Sequence, residues 1–192
     1  MPNILTALAD YARERVMLSK KSISTDEMKS RAFSLPADDF SFERALKTPS
    51  ISFICECKKA SPSKGIIAPD FPYLQIAKDY EKAGADCISV LTEPKWFLGR
   101  DAYLRDIASA VSIPCLRKDF IIDEYMIYEA KLFGAKAVLL ICSLLDTTTV
   151  KSYLNLCDGL GLAALVEAHD ICQCSVLLWG RSFCKNVQRD WN

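Results

Sequence analysis

The chain has 192 residues, 51% hydrophobic and 25% charged, with 24 Lys and Arg against 24 Asp and Glu. That is the composition of an ordinary globular protein, long enough to bury a core. Zero net charge argues against a nucleic-acid partner, which wants a basic face. The longest purely apolar run, Ala137 to Cys142, falls far short of the ~20 residues that cross a bilayer.

Asp10, Arg13, Glu14 and Arg15 interrupt any apolar core of a signal peptide, so no membrane attachment and a cytoplasmic location are expected. The nine cysteines are odd in number, form no Cys-x-x-Cys pair and sit mostly in apolar stretches, among them Cys55, Cys57, Cys87, Cys115 and Cys142. They read as small hydrophobes in a reducing compartment. With one His in the chain, no metal site is expected.

In chain order, residues 3 to 47 predict helices. Asn3 can cap a segment reaching Lys20, with Ile4, Leu5, Leu8, Tyr11 and Val16 at helical spacing; shorter helices follow Thr25 and Ser41, separated by Pro36 and the Asp38-Asp39 pair. From Ile51 the pattern switches to short apolar strands alternating with amphipathic helices. Strands are predicted at Ser52–Lys58, Cys87–Thr92, Pro114–Lys118, Ala137–Cys142 and Ala163–Glu167. Helices are predicted at Pro72–Ala83, Ala102–Ala110, Glu124–Phe133 and Thr147–Leu160, with Gly84, Gly134 and Gly161 where left-handed caps belong. One strand every ~25–30 residues with a helix between means parallel βαβ units, in a (β/α)₈ barrel or an open doubly wound sheet.

Side-chain parity favours the barrel. In the first strand Ile51, Phe53, Cys55 and Cys57 share an apolar face suited to an outer shell of helices, while Ser52, Ile54, Glu56 and Lys58 share the other. Pro114, Leu116, Lys118 and Phe120 share a face of the third strand, and Leu165, Glu167 and His169 of the fifth. Charges thus gather at strand C-termini, where barrels carry their chemistry. No Gly-x-Gly-x-x-Gly follows the first strand, which weighs against a dinucleotide fold.

Glu56 and Lys58 are close enough to fix each other's protonation and position, and the Ala60-Ser61-Pro62-Ser63-Lys64-Gly65 loop is suited to an anion. A surface ion pair before a polar loop would read the same way. Lys118 can protonate a carbonyl oxygen if burial and a cationic neighbour such as Lys58 tune it; a solvated strand end is the alternative. Glu167, opposite two lysines, can act as base, stabilise a cation, or simply cap the next helix. His169 reads as lining or polar packing rather than a catalyst, and Phe97 as either an aromatic cover or an apolar loop anchor.

The string Glu56-Cys57-Lys58-Lys59-Ala60-Ser61-Pro62-Ser63-Lys64-Gly65 resembles the signature of the indole-3-glycerol phosphate synthase family. In the family's order follow Leu91-Thr92-Glu93 with Phe97, Leu116-Arg117-Lys118-Asp119-Phe120-Ile121 and Leu165-Val166-Glu167-Ala168-His169. The resemblance covers about residue 3 to Asp170. It implies a (β/α)₈ TIM barrel with an N-terminal helical extension over its mouth. The implied activity is a carboxy-lyase reaction of tryptophan biosynthesis, closing 1-(2-carboxyphenylamino)-1-deoxyribulose 5-phosphate to indole-3-glycerol phosphate. It further implies Lys118 as acid for ring closure, Lys58 with Glu56 as anion binder and proton-transfer pair, and Glu167 as stabiliser of the cationic intermediate or proton relay. Ser61, Pro62, Phe97 and Phe120 would line the substrate pocket. The phosphorylated small molecule is the implied partner, with no metal or organic cofactor.

After Asp170 the family's pattern should continue into a strand ending Asn-Asn-Arg, then Glu-Ser-Gly, then a phosphate loop. Residues 171 to 192 instead hold three of the nine Cys and two of the three Trp, with no acidic residue before Asp190. This reads as a changed frame or an aberrant end. The expected organisation is a helical extension at 1–50, the first five βα units at 51–170 and an atypical tail at 171–192. Three further units of ~25 residues would be needed for the ~250 typical of such barrels. Catalysis by the chain as it stands is therefore expected to be weak or absent. The open barrel edge favours a monomer or weak self-association. A non-catalytic barrel fragment and another phosphate-binding barrel enzyme, such as phosphoribosylanthranilate isomerase, are the alternatives.

Overall fold

A computed structural model describes residues 4–49 and 51–168, and the backbone alone of residues 182–186. Three helices come first, α1 (Ile4–Ser22), α2 (Thr25–Ser34) and α3 (Ser41–Leu46). Strand β1 (Ile54–Cys57) leads into a two-residue hairpin, β2 (Ala60–Ser61) with β3 (Gly65–Ile66). Helix and strand then alternate: α4 (Tyr73–Lys82), β4 (Cys87–Leu91), α5 (Asp101–Ala110), β5 (Cys115–Lys118), α6 (Glu124–Leu132), β6 (Ala137–Ile141), α7 (Thr147–Leu160), β7 (Ala163–Ala168) and β8 (Ser182–Asn186).

The main sheet has the order β1-β4-β5-β6-β7-β8, and every pair is parallel. The five predicted strands are all present within one or two residues. The sixth, β8, lies in the segment where the sequence offered no periodic signal, yet it pairs with β7 over Ala164↔Ser182 to Ala168↔Asn186. His169 and most of the atypical tail fall outside the described residues. No described helix is long and apolar enough to cross a membrane.

Strand parity separates two apolar layers. Outward residues Cys57, Ile88, Val90, Cys115, Val138, Leu140, Ala164 and Val166 pack beneath the helices with Leu104, Ile107, Tyr125, Ile127 and Leu154. Inward residues Cys87, Leu116, Ala137 and Ala163 form a smaller cluster closed by Phe42 of α3. These four lie toward the strand N-termini, so α3 plugs the end opposite the strand C-termini. The helical extension is therefore not confined to the mouth: it reaches the other end of the sheet, because Phe42 is the large apolar side chain that fills the small-residue layer there. Ile51 and Phe53, expected beneath helices, precede β1 and stay exposed. The described cysteines are free, and burial pushes the Cys57, Cys87 and Cys115 thiols up to about 12, as befits packing groups.

Local chemistry starts and stops the helices. Ser24 accepts from the Glu27 amide, Asp123 from Tyr125 and Asp146 from Thr149, each filling an orphan N–H of α2, α6 or α7. The α2–α3 linker is tied down by Lys131, which donates to the Pro36 and Leu160 carbonyls, and by Lys136, which pairs with Asp38 at 3.1 Å. Gly161 ends α7 at φ 69°, and a Cβ there would overlap the Asp38 backbone. Gly161→Ala is therefore expected to cost on the order of 2–3 kcal/mol, from left-handed strain plus displacement of the linker. Chemical denaturation checks this; an unchanged midpoint would show that the linker shifts freely.

Candidate active site

Glu56 faces inward near the end of β1, and Lys58 follows two residues later on the same side. The Lys58 Nζ lies 2.9 Å from Glu56 Oε1, and the Lys118 Nζ, from the end of β5, lies 3.2 Å from Glu56 Oε2. Ser89 on the intervening strand β4 donates to the same Oε2 at 3.4 Å. The carboxylate thus sits between two ammonium groups, and Lys58, suggested as a cationic neighbour of Lys118, shares Glu56 with it. β1 and β5 are not adjacent; only the short Ser89 side chain between them leaves room for the bridge. Burial would raise the Glu56 carboxyl, but Lys118 and Lys58 outweigh it and hold it below its ordinary 4.5.

A cleft of about 200 Å³ opens beside this bridge, lined by Leu5, Leu91, Phe97, Lys118, Asp119, Phe120, Leu139, Ile141 and Glu167. Phe97 and Phe120 face each other with ring centroids 6.0 Å apart. Lys118 and Glu167 are the charges expected there from strand ends, and Leu5 brings in α1 as a cover. An apolar slot with a cation, an anion and two aromatic rings suits a planar aromatic ligand bearing charged groups. Ser61 and Pro62 lie elsewhere, on the β2–β3 hairpin after β1. Ser61 Oγ accepts the Lys64 amide at 3.3 Å, Pro62 is exposed, and neither lines the cleft.

The Phe97 loop is held by a group that sequence reasoning passed over. Glu93 is fully buried, and its carboxylate accepts the Lys95, Trp96 and Phe97 amides at 2.9, 2.8 and 2.9 Å. Gly99 passes so close to the Leu91 carbonyl that a Cβ would collide with backbone. An acid followed within six residues by a tight Gly was the available signal.

Asp119 was missed as well. Its side chain has no exposure, and it accepts from Arg15 at 2.6 and 3.1 Å, from the Thr92 hydroxyl at 2.7 Å and from the Phe120 amide at 2.8 Å. Burial opposes its charge, but Arg15 and Arg117 hold the carboxyl below 3.8. On the outer face Arg117 is also buried, donating to the Met126 carbonyl at 2.8 Å and to Asp101 and Glu129 at 3.1 Å each.

These depressed carboxyls set an acid limit. A folded pKa below the unfolded value contributes stability that is complete above the unfolded pKa and is lost as pH falls toward the folded one. The window opens below 4.5 for Glu56 and below 3.8 for Asp119. Stability from denaturant titrations is expected to fall steeply below about pH 4, and Glu56→Gln to flatten the upper part of that fall. An unchanged slope in that variant would mean that the two lysines do not grip the carboxylate.

The family model described as indole-3-glycerol phosphate synthase matches residues 5–179. A protein of that name from Ruminiclostridium cellulolyticum is 58% identical over 168 residues, covering 87% of this chain and 65% of its own. The one from Endomicrobium trichonymphae is 51% identical with the same coverages. The chain thus spans about two thirds of the length of these relatives. A crystal structure from Sinorhizobium meliloti superposes with TM-score 0.54 at 12% identity, covering 78% of this chain and 40% of that one, a likeness of fold alone.

Proposed function

Because the chain belongs to the indole-3-glycerol phosphate synthase family, we propose that its site performs the decarboxylating ring closure and dehydration of 1-(2-carboxyphenylamino)-1-deoxyribulose 5-phosphate. The observation that carries the reading is the Lys58–Glu56–Lys118 bridge beside an aromatic-walled cleft that also holds Glu167.

In the first step the ring carbon bearing the carboxylate attacks the ribulose carbonyl, and the oxygen takes a proton from the Lys118 ammonium. The ring becomes cationic, which Glu167 across the cleft stabilises. CO₂ then leaves, and its bonding electrons restore the aromatic ring. In the second step the new hydroxyl leaves as water with a proton from Lys58, driven by the nitrogen lone pair, and Glu56 takes one proton from the methylene carbon beside the nitrogen, which closes the indole double bond. Phe97 and Phe120 stack on the aromatic portion. No metal or organic cofactor takes part, and the compartment is the cytoplasm. As isolated, the chain is a monomer or self-associates weakly through the exposed edge beside β1, where Ile51 and Phe53 stand out.

The test is product fluorescence on addition of substrate. It is run on the chain itself and on a chimera joined after Ala168 to the remaining segment of the Ruminiclostridium cellulolyticum relative. The chimera is expected to form product and the chain alone to form little. A silent chimera beside an active parental relative would overturn the reading.

A further inference from the structure

Helix α1 lies across the cleft and is held by several contacts to loops at the strand C-termini. Tyr11 meets Trp96 edge-on at 5.7 Å, Lys95 stands over the Tyr11 ring at 5.1 Å, and Lys20 pairs with Asp123 at 2.8 Å. Such partly exposed contacts are individually weak. The bidentate pair of Arg15 with Asp119 differs, because the Asp119 side chain is wholly buried and that of Arg15 is 20% exposed.

Asp119 is also where the catalytic strand end is fixed. Thr92 grips both sides of Lys118: its amide donates to the Lys118 carbonyl at 3.1 Å, and its hydroxyl donates to the Asp119 carboxylate at 2.7 Å. The same carboxylate turns back to accept the Phe120 amide at 2.8 Å. Arg15 supplies the remaining two hydrogen bonds, from 104 residues upstream of Asp119. Without Arg15 the nearest cation is Arg117, whose Nη2 lies 3.7 Å from Oδ2. The carboxylate would then swing toward it, away from the Phe120 amide.

We propose that Arg15 is a positioning residue: through Asp119 it locks the Lys118–Phe120 turn and α1 into one unit, so that the acid and the Leu5 cover reach the cleft together. The catalytic consequence rests on the function proposed above; the lock itself does not. Lysine at position 15 keeps the charge but only a single-point contact, so it restores part of the effect, whereas the uncharged Met restores none.

Amide hydrogen exchange on the 192-residue chain tests the lock, comparing the parent with Arg15→Met and Arg15→Lys. In Arg15→Met, exchange is expected to rise about tenfold or more in two segments, residues 4–14 and 118–123. β6 and β7 should keep parental protection, and Arg15→Lys should fall between the two. Unchanged exchange at 118–123, or a rise spread evenly over the sheet, would overturn the proposal. In the chimera, Arg15→Met is expected to lower kcat by about 10²-fold, with a smaller rise in KM, because a displaced acid costs rate more than binding. A variant whose KM alone changes would reduce Arg15 to a cover anchor and overturn its positioning role. A chimera that forms no product at all would instead sink the proposed function, leaving the exchange pattern to decide the lock.

Discussion

Lys118→Ala is expected to lower turnover of the chimera by about 10²–10⁴-fold, the usual contribution of a positioned general acid. The ion pair of Lys118 is with Glu56, their side chains are 31% and 29% exposed, and Glu56 keeps Lys58 at 2.9 Å. Partly exposed ion pairs of this kind contribute about 0–1 kcal/mol, so the variant should fold with nearly parental stability. The combination matters: lost turnover in a stable protein assigns chemistry to Lys118, whereas retained turnover would move the acid elsewhere on the strand ends. Lys58→Ala, by contrast, is expected to slow dehydration and weaken substrate binding together. Single-turnover measurements separate the two lysines by whether CO₂ release or indole formation slows.

Arg117→Met is expected to destabilise the chain by about 3–5 kcal/mol, because removing one partner of a buried ion pair strands the others. Asp101, Glu129 and the Met126 carbonyl would all lose a donor, and Asp119 a nearby cation. For a domain of this size that corresponds to a fall in Tm of about 10 °C. The loss should also depend on pH. Burial already holds the Glu129 carboxyl above 4.5 against the pull of Arg117, and removing the guanidinium raises it further. A group with a raised folded pKa contributes stability below its unfolded value and loses it as pH rises through the folded one. The destabilisation is therefore expected to be smaller near pH 4.5 and larger toward neutrality. A pH-independent loss would show that Glu129 finds another donor.

The sequence by itself determined which elements form and which way their side chains point. A period of two between apolar residues places Glu56, Lys58, Lys118 and Glu167 on inner faces near strand C-termini, and glycines after helices mark turns that only a left-handed residue closes. That much is local, since it follows from backbone geometry and from the need to bury one face. What only the tertiary structure decided is which distant groups meet. The bridging of two lysines by Glu56 depends on the small Ser89 lying on the strand between them. The burial of Asp119 depends on Arg15, and that of Arg117 on Asp101 and Glu129. The helical spacing of Phe42 does not say which surface it meets, and β8 has no periodic signature of its own; each is placed by a surface that the rest of the fold creates. A buried charge must find its counter-charge wherever the chain returns, and periodicity records the face of a residue rather than its partner.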